Sequence, residues 1–114
     1  MKAAYENNFE NVFIALADPT RRQLLNLIAS KGQATATILA GDVTVSRQAV
    51  VKHLTILNDA GLVNSDRVGR EVRYTVRPDQ LSAAAEWMAD LASDWDRRLA
   101  WIKQRAETNR KRED

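Results

Sequence analysis

The sequence predicts a mainly α-helical chain carrying one small β-hairpin, and three observations predict it. Apolar residues recur at spacings of three and four from residue 3 to residue 60. The spacing then drops to two, where Val72, Tyr74 and Val76 alternate with Arg73, Thr75 and Arg77. After Pro78-Asp79 it returns to threes and fours, up to a charged tail.

Each element follows from local chemistry. Residues 3 to 17 form a helix whose apolar stripe is Tyr5, Phe9, Val12, Phe13 and Leu16. Asp18-Pro19 starts the next helix: aspartate accepts amide protons at an N-cap, and proline has no N–H to leave unpaired in the first turn. That helix runs to about Ser30, with Leu24, Leu25, Leu27 and Ile28 inward, and Gly32 ends it. Thr35 caps a short third helix carrying Ile38, Leu39 and Ala40. After the turn 41–45, Ser46 caps a fourth helix that runs to about Ala60 and stops at Gly61. Ala49, Val50, His53, Leu54 and Leu57 lie on one side of it, and Arg47, Gln48, Val51, Lys52 and Thr55 lie largely on the other. The hairpin spans 62–77 with Gly69 in its middle. The last helix carries a seam of Leu81, Ala84, Met88, Leu91, Trp95, Leu99, Ile102 and Ala106. Residues 1–108 are expected to be one domain including both terminal helices, and 109–114 a disordered charged tail without an apolar residue.

Composition narrows the function. A chain of 114 residues, 45% hydrophobic and 28% charged, is that of an ordinary globular protein. With no cysteine there is no disulfide, thiolate metal site or thiol redox chemistry, which fits a reducing cytoplasm. No stretch reads as a signal peptide or a membrane span. The net charge of +2 hides an asymmetry. Residues 47–77 hold six cations against three acids, whereas 79–98 hold five acids against two arginines. The basic part suits a polyanion. Two solvated faces of unequal charge explain the same numbers.

The order short helix, turn, longer helix, basic hairpin separates these readings, because it is the order of a winged helix-turn-helix. A helix fits the major groove with its N-terminal turn against the base edges. Ser46, Arg47, Gln48, Val51, Lys52 and Thr55 are the candidate DNA contacts on that helix. Arg47 is suited to guanine and Gln48 to adenine. Arg67, Arg70 and Arg73 on the hairpin are suited to phosphates or a narrow minor groove.

The sequence resembles the ArsR/SmtB family of winged-helix repressors. The resemblance rests on ALADPTRRQLLNLI (15–28), TATILAGDVTVSRQAVVKHLTILNDAGLV (35–63), VGREVRYTV (68–76) and the long terminal helix. Trp87, Trp95 and Leu99 resemble its cysteine-free, SdpR-like branch of autorepressors. The resemblance implies a homodimer on double-stranded operator DNA that represses transcription. The chain departs from the family pattern at Ile38, where a glutamate commonly completes a capping box with Thr35, and at Val51, where small polar residues are common.

Both terminal helices need cover for their seams, so the dimer interface is expected at Tyr5, Phe9, Val12, Phe13, Leu16, Leu91, Trp95, Leu99 and Ile102. His53, the one histidine, has no cysteine or second histidine to join it, so it is expected to be structural, with no metal and no cofactor. Three tryptophans on the last helix fit core or interface, and are also compatible with a small apolar effector. A dimeric winged-helix interaction module without DNA binding is the rival reading, but such a module has little reason to keep Arg47, Gln48, Lys52, Arg70 and Arg73 exposed. No nucleophile–base pair or phosphate loop suggests an enzyme.

Overall fold

The computed structural model describes the backbone of residues 2–113 and the side chains of residues 9–110. Its elements are α1 (Lys2–Ala17), α2 (Pro19–Lys31), α3 (Ala36–Ala40), α4 (Arg47–Asp59), β1 (Val63–Val68), β2 (Glu71–Val76) and α5 (Pro78–Glu113). They form two compact units, Met1–Ser82 and Ala83–Asp114, divided within α5.

Three helix starts obey one rule. The Asp18 carboxylate accepts from the Thr20 and Arg21 amides at 2.8 and 3.2 Å. The Thr35 hydroxyl accepts from the Ile38 amide at 3.2 Å, so this cap holds without the acidic half of a capping box. The Ser46 hydroxyl accepts from the Ala49 amide at 3.1 Å.

The end of α4 is a Schellman motif. The Leu62 amide donates to the Leu57 carbonyl at 2.9 Å, and the Gly61 amide to the Asn58 carbonyl at 3.0 Å. Gly61 lies in the left-handed region at φ +76°, and a Cβ there would sit 3.2 Å from Gln80 Cγ. Gly61→Ala is therefore expected to destabilise the fold by about 1–2 kcal/mol, the cost of a left-handed L-residue, read from the urea midpoint at unchanged m-value. Leu57 and Leu62, brought together by the motif, are both fully buried.

The first unit closes around Val12, Leu24, Ile28, Leu39, Val50, Leu54, Leu57, Leu62 and Val63, all at 1% exposure or less. Each of these leucines contributes about 1.5–3 kcal/mol of apolar transfer. β1 and β2 pair antiparallel in the register Val63↔Val76 to Val68↔Glu71. Gly69, at φ +65°, takes the first central position of the two-residue turn, where a primed hairpin turn of this kind needs glycine.

Four findings differ from the sequence reading or extend it. Val12 is fully buried inside its own chain, so it is core and offers no surface to a dimer partner. Leu27 is only half-buried, whereas Leu24, Leu25 and Ile28 are buried as expected. A further β-bridge joins Ala34 to Tyr74, with reciprocal amide–carbonyl bonds of 3.1 and 2.9 Å. Residues 109–113, expected as a disordered tail, continue α5 as helix. Arg, Lys and Glu are good helix formers, and propensity carries the helix on where no apolar face requires it.

Candidate nucleic-acid interface

α3, the 41–46 turn and α4 present the N-terminal turn of α4 at the surface. Ser46, Arg47, Gln48, Lys52 and Thr55 are exposed, and Val51 is half-buried. Helical spacing explains this face: Val50, Leu54 and Leu57 point into the core, which turns positions 47, 48, 52 and 55 outward. The Thr55 hydroxyl donates to the Val51 carbonyl at 3.0 Å, leaving its lone pairs outward as acceptors.

On the hairpin, Arg67 and Arg70 are exposed, and neither is in an ion pair among the described residues. Arg73 is half-buried and its Nε lies 3.3 Å from a Glu71 carboxylate oxygen. A surface pair of this kind is worth about 0–1 kcal/mol, so a phosphate can compete for Arg73 at small cost. The helix and hairpin sites converge. Arg47 and Val51 of α4, Thr37 and Ile38 of α3, and Arg70, Val72 and Tyr74 of the hairpin line one cleft of about 550 Å³.

The histidine is held from the other side of α4. Arg21 donates through Nε to the Ala15 carbonyl at 2.7 Å and through Nη2 to the Ile14 carbonyl at 3.0 Å. Its Nη1 lies 3.3 Å from His53 Nδ1. A guanidinium only donates, so a hydrogen bond at this contact uses Nδ1 as its acceptor. Arg22 adds a bond of 2.6 Å to the Leu16 carbonyl. Two adjacent arginines thus satisfy the C-terminal carbonyls of α1, and one of them ties α4 to the α1–α2 corner. This is a structural role for His53. The sequence alone did not reveal this tie of Arg21 and Arg22 to the end of α1, although the run Asp-Pro-Thr-Arg-Arg contains both.

Asp18 belongs to the same corner. Desolvation is the largest single influence on its carboxyl and works upward. The Arg21 and Thr20 amides, with the charges of Arg21 and His53, outweigh it together and hold the pKa below the ordinary aspartate value. A carboxyl with a depressed folded pKa stabilises the fold above its unfolded pKa, near about 4, and loses that contribution as pH falls through the folded value. The chain is therefore expected to lose melting temperature below about pH 4, with a shallower acid limb for Asp18→Asn, which keeps a capping oxygen without the charge. Equal acid limbs in thermal melts would show that Asp18 carries none of the dependence.

Among the described residues no group of three or more His, Cys, Asp or Glu is placed to hold a metal ion. No helix among them is long and apolar enough to cross a membrane. On α1, Phe9, Phe13 and Leu16 are half-buried, and the Tyr5 side chain lies outside the described residues. Ile14, which sequence reasoning left aside, is 55% exposed. On α5 Met88, Leu91, Trp95, Leu99 and Ile102 are all exposed and share one stripe. Arg98 and Arg105 lie over the Trp95 and Trp101 rings, 5.9 and 4.9 Å from their centroids.

Comparison with known proteins places this geometry. Residues 18–65, the α2–α4 segment with the start of the hairpin, match the model described as bacterial regulatory protein, arsR family. The transcriptional repressor SdpR of Bacillus subtilis is 33% identical over 89 residues, covering 78% of this chain and 98% of SdpR. An ArsR-like transcriptional regulator from Rhodococcus sp. RHA1 superposes with a TM-score of 0.84 at 41% identity, covering 95% of this chain and 98% of that one. A homodimeric winged helix-turn-helix DNA-binding domain from Mycobacterium bovis superposes with a TM-score of 0.65 at 26% identity, covering 82% and 84%. The likeness runs through the capped helices, the hairpin and the terminal helices alike, and the chain belongs to the arsR family of bacterial regulatory proteins, as a winged helix-turn-helix transcriptional regulator.

Proposed function

We propose that the chain is a homodimeric repressor that binds double-stranded operator DNA, with α4 in the major groove and the hairpin on flanking backbone or minor groove. The observation that carries this reading is the shared cleft: Arg47 and Val51 of α4 and Arg70 of the hairpin line one surface. Arg47 and Gln48, exposed in the first turn of α4, face bases; Ser46, Lys52, Thr55, Arg67, Arg70 and Arg73 serve the backbone around them. Residues 1–108 act as one DNA-binding domain, with α1 and α5 as the dimerisation arms. The chain works in the cytoplasm, where its DNA is. The rival reading, a dimeric interaction module without DNA binding, has no support among the relatives, which are named as transcriptional repressors and regulators.

Two single substitutions test the assignment. Arg47→Ala is expected to cost about 1–3 kcal/mol on the preferred sequence and to relax specificity, because it removes a base contact. Arg70→Ala is expected to weaken preferred and random DNA alike, because it removes a phosphate contact. Fluorescence anisotropy with both duplexes reads the difference. Proportional loss on both duplexes in both variants contradicts the division of labour.

A further inference from the structure

The Arg47 guanidinium does not hang free from α4. Its Nε donates to the Thr37 hydroxyl at 3.0 Å, across ten residues and from one helix of the pair to the other. Thr37 is exposed in the middle of α3, and that helix is anchored beneath it by buried Ala36 and Leu39. The acceptor therefore rides on a fixed element. An arginine side chain without such a contact samples many rotamers, and part of that freedom must be lost before it can bind end-on.

We infer that Thr37 is a positioning residue for base recognition: it holds Arg47 by Nε so that the two terminal amino groups are presented together to a guanine. The chemistry favours this division. A guanidinium has five N–H donors in one plane, and bidentate pairing with guanine O6 and N7 is available to the two terminal nitrogens. Spending Nε on Thr37 leaves that end of the fork intact and fixes its plane. Ile38 and Val72, exposed, line the same cleft with apolar surface, and the one carboxylate among its lining residues, Glu71, already lies 3.3 Å from Arg73 Nε. A short polar residue in the first helix of the motif thereby sets how sharply the second helix reads sequence. The inference rests on the proposed role of Arg47 in DNA reading.

The test is selection from a randomised DNA duplex pool by the full-length wild type, Arg47→Ala, Thr37→Val and Thr37→Ser, with melting temperature and affinity for random duplex measured alongside. The wild type is expected to enrich a guanine in each half-site, and Arg47→Ala to lose that preference. Thr37→Val, nearly isosteric but without the hydroxyl, is expected to lower discrimination at that same guanine by roughly three- to tenfold. Its melting temperature and random-DNA affinity stay at wild-type levels. Thr37→Ser restores the hydroxyl and with it the discrimination, a rescue that a purely structural threonine would not show. If Arg47→Ala keeps the guanine preference, the base-reading role of Arg47 falls and this inference with it. If Arg47→Ala loses the preference while Thr37→Val keeps it in full, the positioning role alone is overturned.

Discussion

Raising monovalent salt from about 50 to about 200 mM is expected to weaken operator binding on the order of a thousandfold. Lys52, Arg67 and Arg70 are exposed on each protomer, outside any ion pair among the described residues. Arg73 is half-buried and already beside Glu71, so it adds less. Three cations on each of two protomers engage about six phosphates, and each neutralised phosphate releases condensed counterions. The slope of log affinity against log salt is then roughly −5, which over a fourfold rise in salt gives the stated loss. The chain's net charge of +2 could not produce so steep a response as a diffuse field; it requires cations gathered on one surface. A nearly flat response in a filter-binding titration would remove this face from the DNA.

Leu99→Asp is expected to abolish the dimer, and operator affinity with it, although residue 99 is far along the chain from α4. Leu99 is 57% exposed and Trp95 54%, and with Met88, Leu91 and Ile102 they make a stripe along α5. Over residues 88 to 102 such a stripe is roughly 20 Å long at helical rise. An exposed apolar strip of that length marks an interaction surface, and Ile14 on α1, 55% exposed, adds another apolar side chain in need of cover. A two-fold mate covers such surfaces with copies of themselves and sets two recognition helices about one DNA turn apart, roughly 34 Å. A carboxylate at position 99 would have to be desolvated against that seam. In the separate chain it stays in water, so the monomer should fold with unchanged circular dichroism. Sedimentation velocity decides the matter: a folded, stable Leu99→Asp dimer would sink this interface. The two predictions are linked, because a monomer touches about half the phosphates and its salt slope should fall by about half.

How much of this was legible beforehand differs by residue. Asp18, Thr35 and Ser46 were readable as caps because a cap is satisfied within three residues of itself. The outward set on α4 was readable because helical periodicity assigns sides. His53 could be read as structural from the absence of other ligands, but its partner could not be named. Arg21 is 32 residues away, and only the crossing of α4 against the α1–α2 corner brings them to 3.3 Å. Val12 was placed with its stripe neighbours Phe9 and Leu16, since periodicity finds a stripe without saying which part of it meets its own core.

By itself the sequence determined the capped starts of α2, α3 and α4, the hairpin and its glycine turn, the absence of cysteine chemistry and the basic face of the helix-turn-helix. All of these depend on residues within one helical turn or one strand repeat of each other, or on composition alone. Only the tertiary structure decided the Ala34–Tyr74 bridge, the burial of Val12, the tie from Arg21 to His53 and the hold of Thr37 on Arg47. Each of these joins groups ten or more residues apart, or concerns which of several equivalent apolar faces is covered. The physical reason is the same in every case: one bridge or one side-chain hydrogen bond leaves no periodic mark in the chain, and its partner is chosen by how the helices pack.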